Sequence, residues 1–369
     1  MKLTIAVQLR PTITQAAALR DTLGRANAAC DGLSARAWES RTFGQYALHK
    51  LAYADTRLAS GLSAQVVVRC IAKVADAYKL DKRRQRTFRP HGAIAYDRRI
   101  LRWYAADVSI WTVGGREHIP FVCGARERAL IPKQQGESDL VYRDGRWFLY
   151  TTVNAEEPPA GEPVGWLGID LGIVNVATDS DGTAHSGAHL NALRHRHRRL
   201  RRKLQAKGTK GSRRLLRQRR RKEARFGNHV NHTISRRLVA VAQGTGRGIA
   251  LEELRGIRSR VSARKPQRAT LHGWSFHQLR TFIEYKARLA GVRVALVDPR
   301  NTSRTCPACG HVAKENRPDQ SHFLCVSCGL AGLPDHFAAV ALSRRASVNA
   351  PYCSDTGTLP VAPGQSPRL

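Results

Sequence analysis

A chain of 369 residues with 42% hydrophobic content is long enough for two or three domains with cores of their own, which excludes a disordered basic arm. Lysine and arginine number 62 against 28 acidic residues, a formal net charge of +34, so the compact state repels itself until a polyanion neutralises it, and nucleic acid is the partner this composition points to. A membrane surface, the rival polyanion, is excluded because no apolar run approaches the ~20 residues of a spanning helix and the basic segments lack a wide apolar face.

Lys2 to Arg10 alternates as a strand does, and no signal-peptide cleavage pattern follows it. Four of the eight cysteines stand at CxxC spacing, while Cys30, Cys70, Cys123 and Cys353 are scattered, which fits a reducing, cytoplasmic compartment better than a disulfide framework. From Thr14 to about Arg86 apolar residues recur every three or four positions (Leu19, Leu23, Ala26, Cys30, Leu33 and Ala37; later Val66, Cys70, Val74 and Ala77), predicting a helical subdomain over 14–86. From about Pro90 to Val153 the period becomes two, with glycine punctuation, predicting a small antiparallel barrel or sandwich that the first strand joins, over 1–13 and 87–160. Its aromatics Trp103, Trp111, Trp147 and Phe148 read as core rather than as stacking platforms. Ala155-Glu-Glu-Pro-Pro-Ala-Gly-Glu-Pro is a linker by composition, and the stretch from 348 to 369, rich in Pro, Gly, Ser and Thr, reads as a disordered tail.

After the linker, Gly165-Trp-Leu-Gly-Ile-Asp170 is an apolar strand ending on an acid, followed by a second strand at Asn175 and a turn signal at Asp181-Gly182. Gly248-Ile-Ala-Leu-Glu252-Glu253 is another, and only one of its two glutamates can share a face with Asp170, because successive strand side chains alternate. Asp335 precedes a helical stretch, where an isolated aspartate would serve as a cap. In so basic a chain, three carboxylates at the ends of apolar elements need a common cation. Two magnesium ions about 4 Å apart, held by Asp and Glu, are the usual arrangement for phosphodiester hydrolysis. Cys306-Pro-Ala-Cys309 and Cys325-Val-Ser-Cys328, with 15 residues between them, give two turns of the kind that present four thiolates to a structural zinc.

Between Arg194 and Arg225 a run of arginine and lysine with almost no acid carries a thin apolar stripe at Leu200, Leu204, Leu215 and Leu216, predicting a helical hairpin that turns at Lys207 to Gly211. Its nucleic-acid contacts would come from Arg198, Arg199, Arg201, Arg202, Lys203, Arg217, Arg220, Arg221 and Lys222.

Taken in order, Gly168-Ile-Asp170-Leu-Gly-Ile, Ile249-Ala-Leu-Glu252-Glu-Leu-Arg-Gly-Ile, Trp274-Ser-Phe, Glu284-Tyr-Lys-Ala, Thr302-Ser-Arg-Thr-Cys306-Pro-Ala-Cys309-Gly-His, Glu315-Asn-Arg-Pro, Phe323-Leu-Cys325-Val-Ser-Cys328-Gly and Asp335-His-Phe-Ala-Ala resemble the TnpB (OrfB) family. These are transposon-encoded RNA-guided nucleases, relatives of the type V CRISPR effectors. The resemblance covers about Gly165 to Leu342. It implies an α/β, RuvC-like (RNase H-type) nuclease domain over 162–300 and 330–347, with a zinc knuckle at 301–329. It further implies that the first 160 residues are a wedge-type β-barrel with an inserted helical recognition domain. In the family the second acid is followed by Asp or Asn and then Leu, which selects Glu252 over Glu253. The implied catalytic set is Asp170, Glu252 and Asp335 with two Mg2+ ions. The implied partners are a transposon-derived guide RNA and double-stranded target DNA flanked by a short motif, in a prokaryotic cytoplasm at the nucleoid. Where the family usually has Asn after the third acid, this chain has Phe337 and Ala341, and Pro334 precedes Asp335, so the helix start is expected to differ. The leading reading is a guided endonuclease. A guided DNA-binding repressor with weak or no cleavage is the alternative, and a strand-joining transposase is disfavoured because the chain offers no tyrosine nucleophile motif.

Overall fold

The computed structural model describes residues 1–253 and 276–348, apart from the side chains of residues 220 and 221. Trp274 of the motif series, Cys353 and the expected tail beyond Val348 lie outside the described residues. The chain gathers into two compact units, divided between Glu156 and Glu157.

The first unit opens with β1 (Lys2–Leu9), whose alternation turns Ile5, Val7 and Leu9 inward. Thr12 then starts α1 (Ile13–Glu39) through a capping box with Gln15, which satisfies two end amides at once. Next come α2 (Gln45–Ser60), α3 (Ala64–Leu80), β2 (Ile94–Tyr96), β3 (Leu101–Trp103), β4 (Asp107–Thr112), β5 (Gly115–Val122), a short α4 (Ala125–Leu130), β6 (Gln134–Arg143) and β7 (Arg146–Asn154). The strands form one antiparallel sheet in the order β2-β6-β7-β1-β5-β4-β3. The first strand of the chain lies in its middle, paired to β7 from Lys2↔Asn154 to Leu9↔Trp147. With β2 and β3 left as edges, this is a near-barrel rather than a closed one. Helices α1 to α3 are inserted between β1 and β2, and both parts share a single apolar core. Of the aromatics expected inside, Trp147 is buried and Trp103 and Trp111 pack against that core. Phe148 differs: it pairs with Tyr150 instead, as alternation from an inward Trp147 requires.

The second unit contains β8 (Trp166–Asp170), β9 (Asn175–Asp179), β10 (Ala184–Ser186), α5 (Ala188–Lys207), α6 (Lys210–Gly244), β11 (Gly248–Glu252), α7 (Phe276–Leu289), β12 (Val294–Val297), the short pair β13 (Phe323–Leu324) and β14 (Ala331–Gly332), and α8 (Pro334–Val348). Its five-stranded sheet runs β10-β9-β8-β11-β12, parallel across β8, β11 and β12 and antiparallel at β9 and β10. The parallel strands β8 and β11 are buried on both faces, hence their continuous apolar runs. Helix α8 lies directly on β8. A side chain at Gly168 would collide with the Ala339 carbonyl oxygen, and the Ser343 hydroxyl donates to the Trp166 carbonyl at 2.6 Å. Glycine on the strand and the Ala338-Ala339 pair on the helix are what permit that approach.

Candidate metal centres

β8 and β11 pair in register, Ile169 opposite Leu251, so the next residue of each strand, Asp170 and Glu252, emerges side by side at the carboxyl edge of the sheet. Ligands gather at that edge in open α/β sheets. Asp335 arrives from α8, one position after Pro334, whose fixed φ suits the first turn of a helix. The capping role that fits an isolated aspartate is not the one observed, because the Asp335 carboxylate accepts from Asn175 Nδ2 at 3.1 Å. Burial raises the Asp170 carboxyl well above its ordinary range, and the negative charges of Glu252 and Asp335 raise it further. Asp170 is therefore the member that feels both others. Burial also pushes Glu252 up to about 7, against a 3.3 Å hydrogen bond from the Thr302 hydroxyl and the charge of Arg345. Glu253 points elsewhere: Arg280 donates to it at 2.8 Å and to Glu284 at 2.6 Å.

Three supporting residues carry no signal of their role in the sequence. Asn175 orients Asp335, Thr302 orients Glu252, and Arg317 brings a guanidinium to 3.9 Å from Asp335 and lowers Asp170. Arg317 belongs to Glu315-Asn-Arg-Pro between the CxxC turns, a motif marked only by its place in the series. Carboxylate oxygens of this kind are hard ligands and suit magnesium. Their repulsion at Asp170, offset only in part by Arg317 and, at Glu252, by Arg345, fits a set that holds cations.

The four cysteines converge. Among the described residues they are the one group of at least three His, Cys, Asp or Glu whose ligand atoms all lie within 4.8 Å of one another. Cys306 and Cys328 sulfurs stand 3.6 Å apart, as do those of Cys309 and Cys325. A tetrahedron of sulfurs about 2.3 Å from zinc has edges of about 3.8 Å, so the set fits that ion. The two turns repeat one geometry: Gly310 and Gly329 take left-handed φ of 76° and 74°, and their amides donate to the Cys306 and Cys325 carbonyls at 3.0 and 2.9 Å. Buried Asn316 ties them together, donating to the Arg304 and His311 carbonyls and accepting from the Val326 amide at 3.0 Å. Phe337 of α8 completes this small core, edge-on to Phe323 with centroids 5.1 Å apart. The aromatic at the departure from the family pattern thus joins the Asp335 helix to the knuckle.

The basic run folds as a helical hairpin, turning at Gly208 and Thr209, whose side chain caps α6 by accepting from Ser212 N at 3.2 Å. Arg198, Arg199, Arg201, Arg202, Lys203, Arg217 and Lys222 are exposed; the Arg220 and Arg221 side chains lie outside the described residues. The second helix outruns the basic stretch, because its far half buries Ile234, Leu238, Val239 and Ala242 in the core beneath the sheet.

Residues 148–254 match the OrfB_IS605 family, described as "probable transposase", and residues 276–342 match the Cas12f1-like TNB domain. The chain is 37% identical over 119 residues to the CRISPR-associated endodeoxyribonuclease Cas12f1 of Sulfoacidibacillus thermotolerans, covering 32% of this chain and 27% of that one. It is 36% identical over 115 residues to a TnpB-like protein of Methanocaldococcus jannaschii, covering 31% of this chain and 41% of the relative. The matched stretches thus span less than half of either relative. A solved Cas12f1-sgRNA-target DNA complex aligns over 93% of this chain and 99% of that chain, at 14% identity and a TM-score of 0.41. The resemblance read from the motifs is therefore borne out: the chain carries OrfB_IS605-type sequence over 148–254 and Cas12f1-like TNB sequence over 276–342.

Proposed function

We propose that this protein is an RNA-guided DNA endonuclease that holds a transposon-derived guide RNA, reads a short flanking DNA motif and hydrolyses target DNA at one carboxylate centre. The observation that carries the reading is Asp170, half-buried at a strand end with Glu252 and Asp335 both near enough to raise its proton affinity. In this reading the second unit is a RuvC-like domain over 162–300 and 330–347 with its knuckle at 301–329. The first unit is a wedge-type barrel (1–13 and 87–160) carrying a helical recognition insertion (14–86). Asp170, Glu252 and Asp335 would together hold two magnesium ions. Bound there, magnesium supplies an activated water and a stabilised leaving oxygen.

The chain's own groups prepare that centre. Thr302 and Asn175 fix the two flanking carboxylates, and the Cβ-free Gly172 lets the loop after β8 turn tightly against the Asn175 carbonyl oxygen, 2.7 Å from where a Cβ would stand. Arg317 offsets the excess negative charge. The four thiolates would hold one structural zinc, and the basic hairpin would follow the phosphates of the guide duplex by shape. Asp170→Ala, Glu252→Ala and Asp335→Ala should each reduce magnesium-dependent cleavage by at least ~100-fold while leaving guide and target affinity nearly unchanged, and Glu253→Ala should cost little. An essential Glu253 beside a dispensable Glu252 would refute the register on which the site rests.

A further inference from the structure

Glu223 is the only acid from Gly182 to Leu251, whereas residues 194–225 contain 17 lysines and arginines. It does not sit on the outer face. It lines a cavity of about 430 Å³ between α5 and α6, within the ~300–1,000 Å³ of ordinary ligand sites. Arg201 Nη2 donates to Glu223 at 3.0 Å, and His197 Nδ1 lies 3.4 Å from the same oxygen. On the same helix as Glu223, Arg217 and Arg219 also line the cavity and have no carboxylate partner among the described residues, and the Arg219 Nε donor is buried without an acceptor. Leu216 gives an apolar wall.

A carboxylate in such a place repels the backbone phosphates that the hairpin attracts, and so lowers affinity for any strand unless it forms a bond that offsets this. One strand supplies that bond. A ribose 2′-hydroxyl can donate to a carboxylate, as acids do with ribose in dinucleotide sites, and DNA has no such group. We propose that the α5–α6 cavity is a ribonucleotide pocket in which Arg217 and Arg219 take the phosphate, Leu216 packs on the sugar, and Glu223, oriented by His197 and Arg201, accepts from the 2′-hydroxyl. The proposal rests on the reading of this chain as a guide-RNA binder and adds to it a residue that tells RNA from DNA.

The test compares binding of the full-length protein, without added magnesium, to one single-stranded RNA of about 20 nucleotides, the length of a guide segment, and to the DNA of the same sequence. The wild type should favour RNA. Glu223→Leu and Glu223→Ala should each lower the RNA-to-DNA affinity ratio about tenfold, the size of one charge-assisted hydrogen bond, while raising DNA affinity through the lost repulsion. Glu223→Gln, whose amide oxygen still accepts, should keep most of the ratio. Arg219→Leu should weaken both strands alike. Thermal unfolding of each variant checks that the hairpin is intact, and the ratio is indifferent to a merely structural role. A ratio that stays within about twofold in both Glu223→Leu and Glu223→Ala, with RNA still bound, overturns the pocket alone; a wild type that binds no RNA overturns the guide-binding reading with it.

Discussion

Asp170 and Glu252 hold their protons to higher pH than free carboxylates do, because each is desolvated at the end of an apolar strand, and Asp170 also because Glu252 and Asp335 repel its charge. The sign of the resulting linkage is fixed. A carboxyl whose folded value is raised binds its proton more tightly when folded, so its stabilising effect is complete below the unfolded value and is lost as pH rises through the folded one. For Glu252 that window runs from 4.5 to about 7. The metal-free protein should therefore lose stability between about pH 4.5 and pH 8, by at most ~3 kcal/mol for this group. Glu252→Gln should flatten the decline, and added magnesium should reverse it, since ligation releases the protons and favours the folded state. Melting temperatures at stepped pH, with and without magnesium, check this; a metal-free protein that gained stability over the same range would contradict it. The strand-ending acids were legible in the sequence because an acid closing an apolar run is conspicuous. Choosing between Glu252 and Glu253 needed the resemblance, and the structure adds the physical reason, the ion pair of Glu253 with Arg280. Asn175, Thr302 and Arg317 were not legible, since each meets its carboxylate only through the fold.

At the scale of elements, the knuckle and α8 behave as one piece. The CxxC spacing predicts the thiolate cluster from local turns alone, and the folded turns follow it. The role of Phe337 is different. It depends on packing against Phe323 beside Cys306 and Cys325, a neighbourhood no periodicity reveals. The length of α6 was also hidden, because its basic half and its buried half obey different patterns. Two outcomes follow for the knuckle. Purified protein should carry about one zinc, and Cys309→Ser or Cys325→Ser should lower the melting temperature and zinc content together, because ligand binding is here part of folding. Asn316→Ala should destabilise on the order of 2–3 kcal/mol, since it removes the side-chain partner of the Arg304 carbonyl and of the Val326 amide and one of the two donors to the His311 carbonyl. Metal analysis and thermal unfolding measure both. Less than about half an equivalent of zinc in folded, chelator-free protein would remove the zinc assignment.

Over the whole molecule the governing quantity is the charge of +34. The change of hydrophobic period from helical to alternating separated the inserted helices from the seven-stranded sheet, and the Pro- and Glu-rich segment near the boundary marked the second unit. Closure of the sheet was not legible, because short strands such as β2 and β3 leave their pairing to tertiary context. Reversing Arg198 and Arg202 to Glu should weaken nucleic-acid binding and reduce its salt slope by about two, roughly one for each phosphate no longer neutralised. An unchanged slope would turn that face of the hairpin to solvent.

Guided cleavage is tested on the RNA that copurifies with the protein. That RNA is sequenced, and a plasmid bearing its complement beside a randomised flank is offered to the complex. Cutting is expected at the complementary site, next to a recoverable flanking motif, with magnesium present. No cutting is expected without magnesium or with Asp170→Ala, at equal occupancy of the target. Full occupancy by the wild type with magnesium and an uncut plasmid would contradict it in favour of a guided repressor, and cutting that survives Asp170→Ala would remove the carboxylate centre from the chemistry.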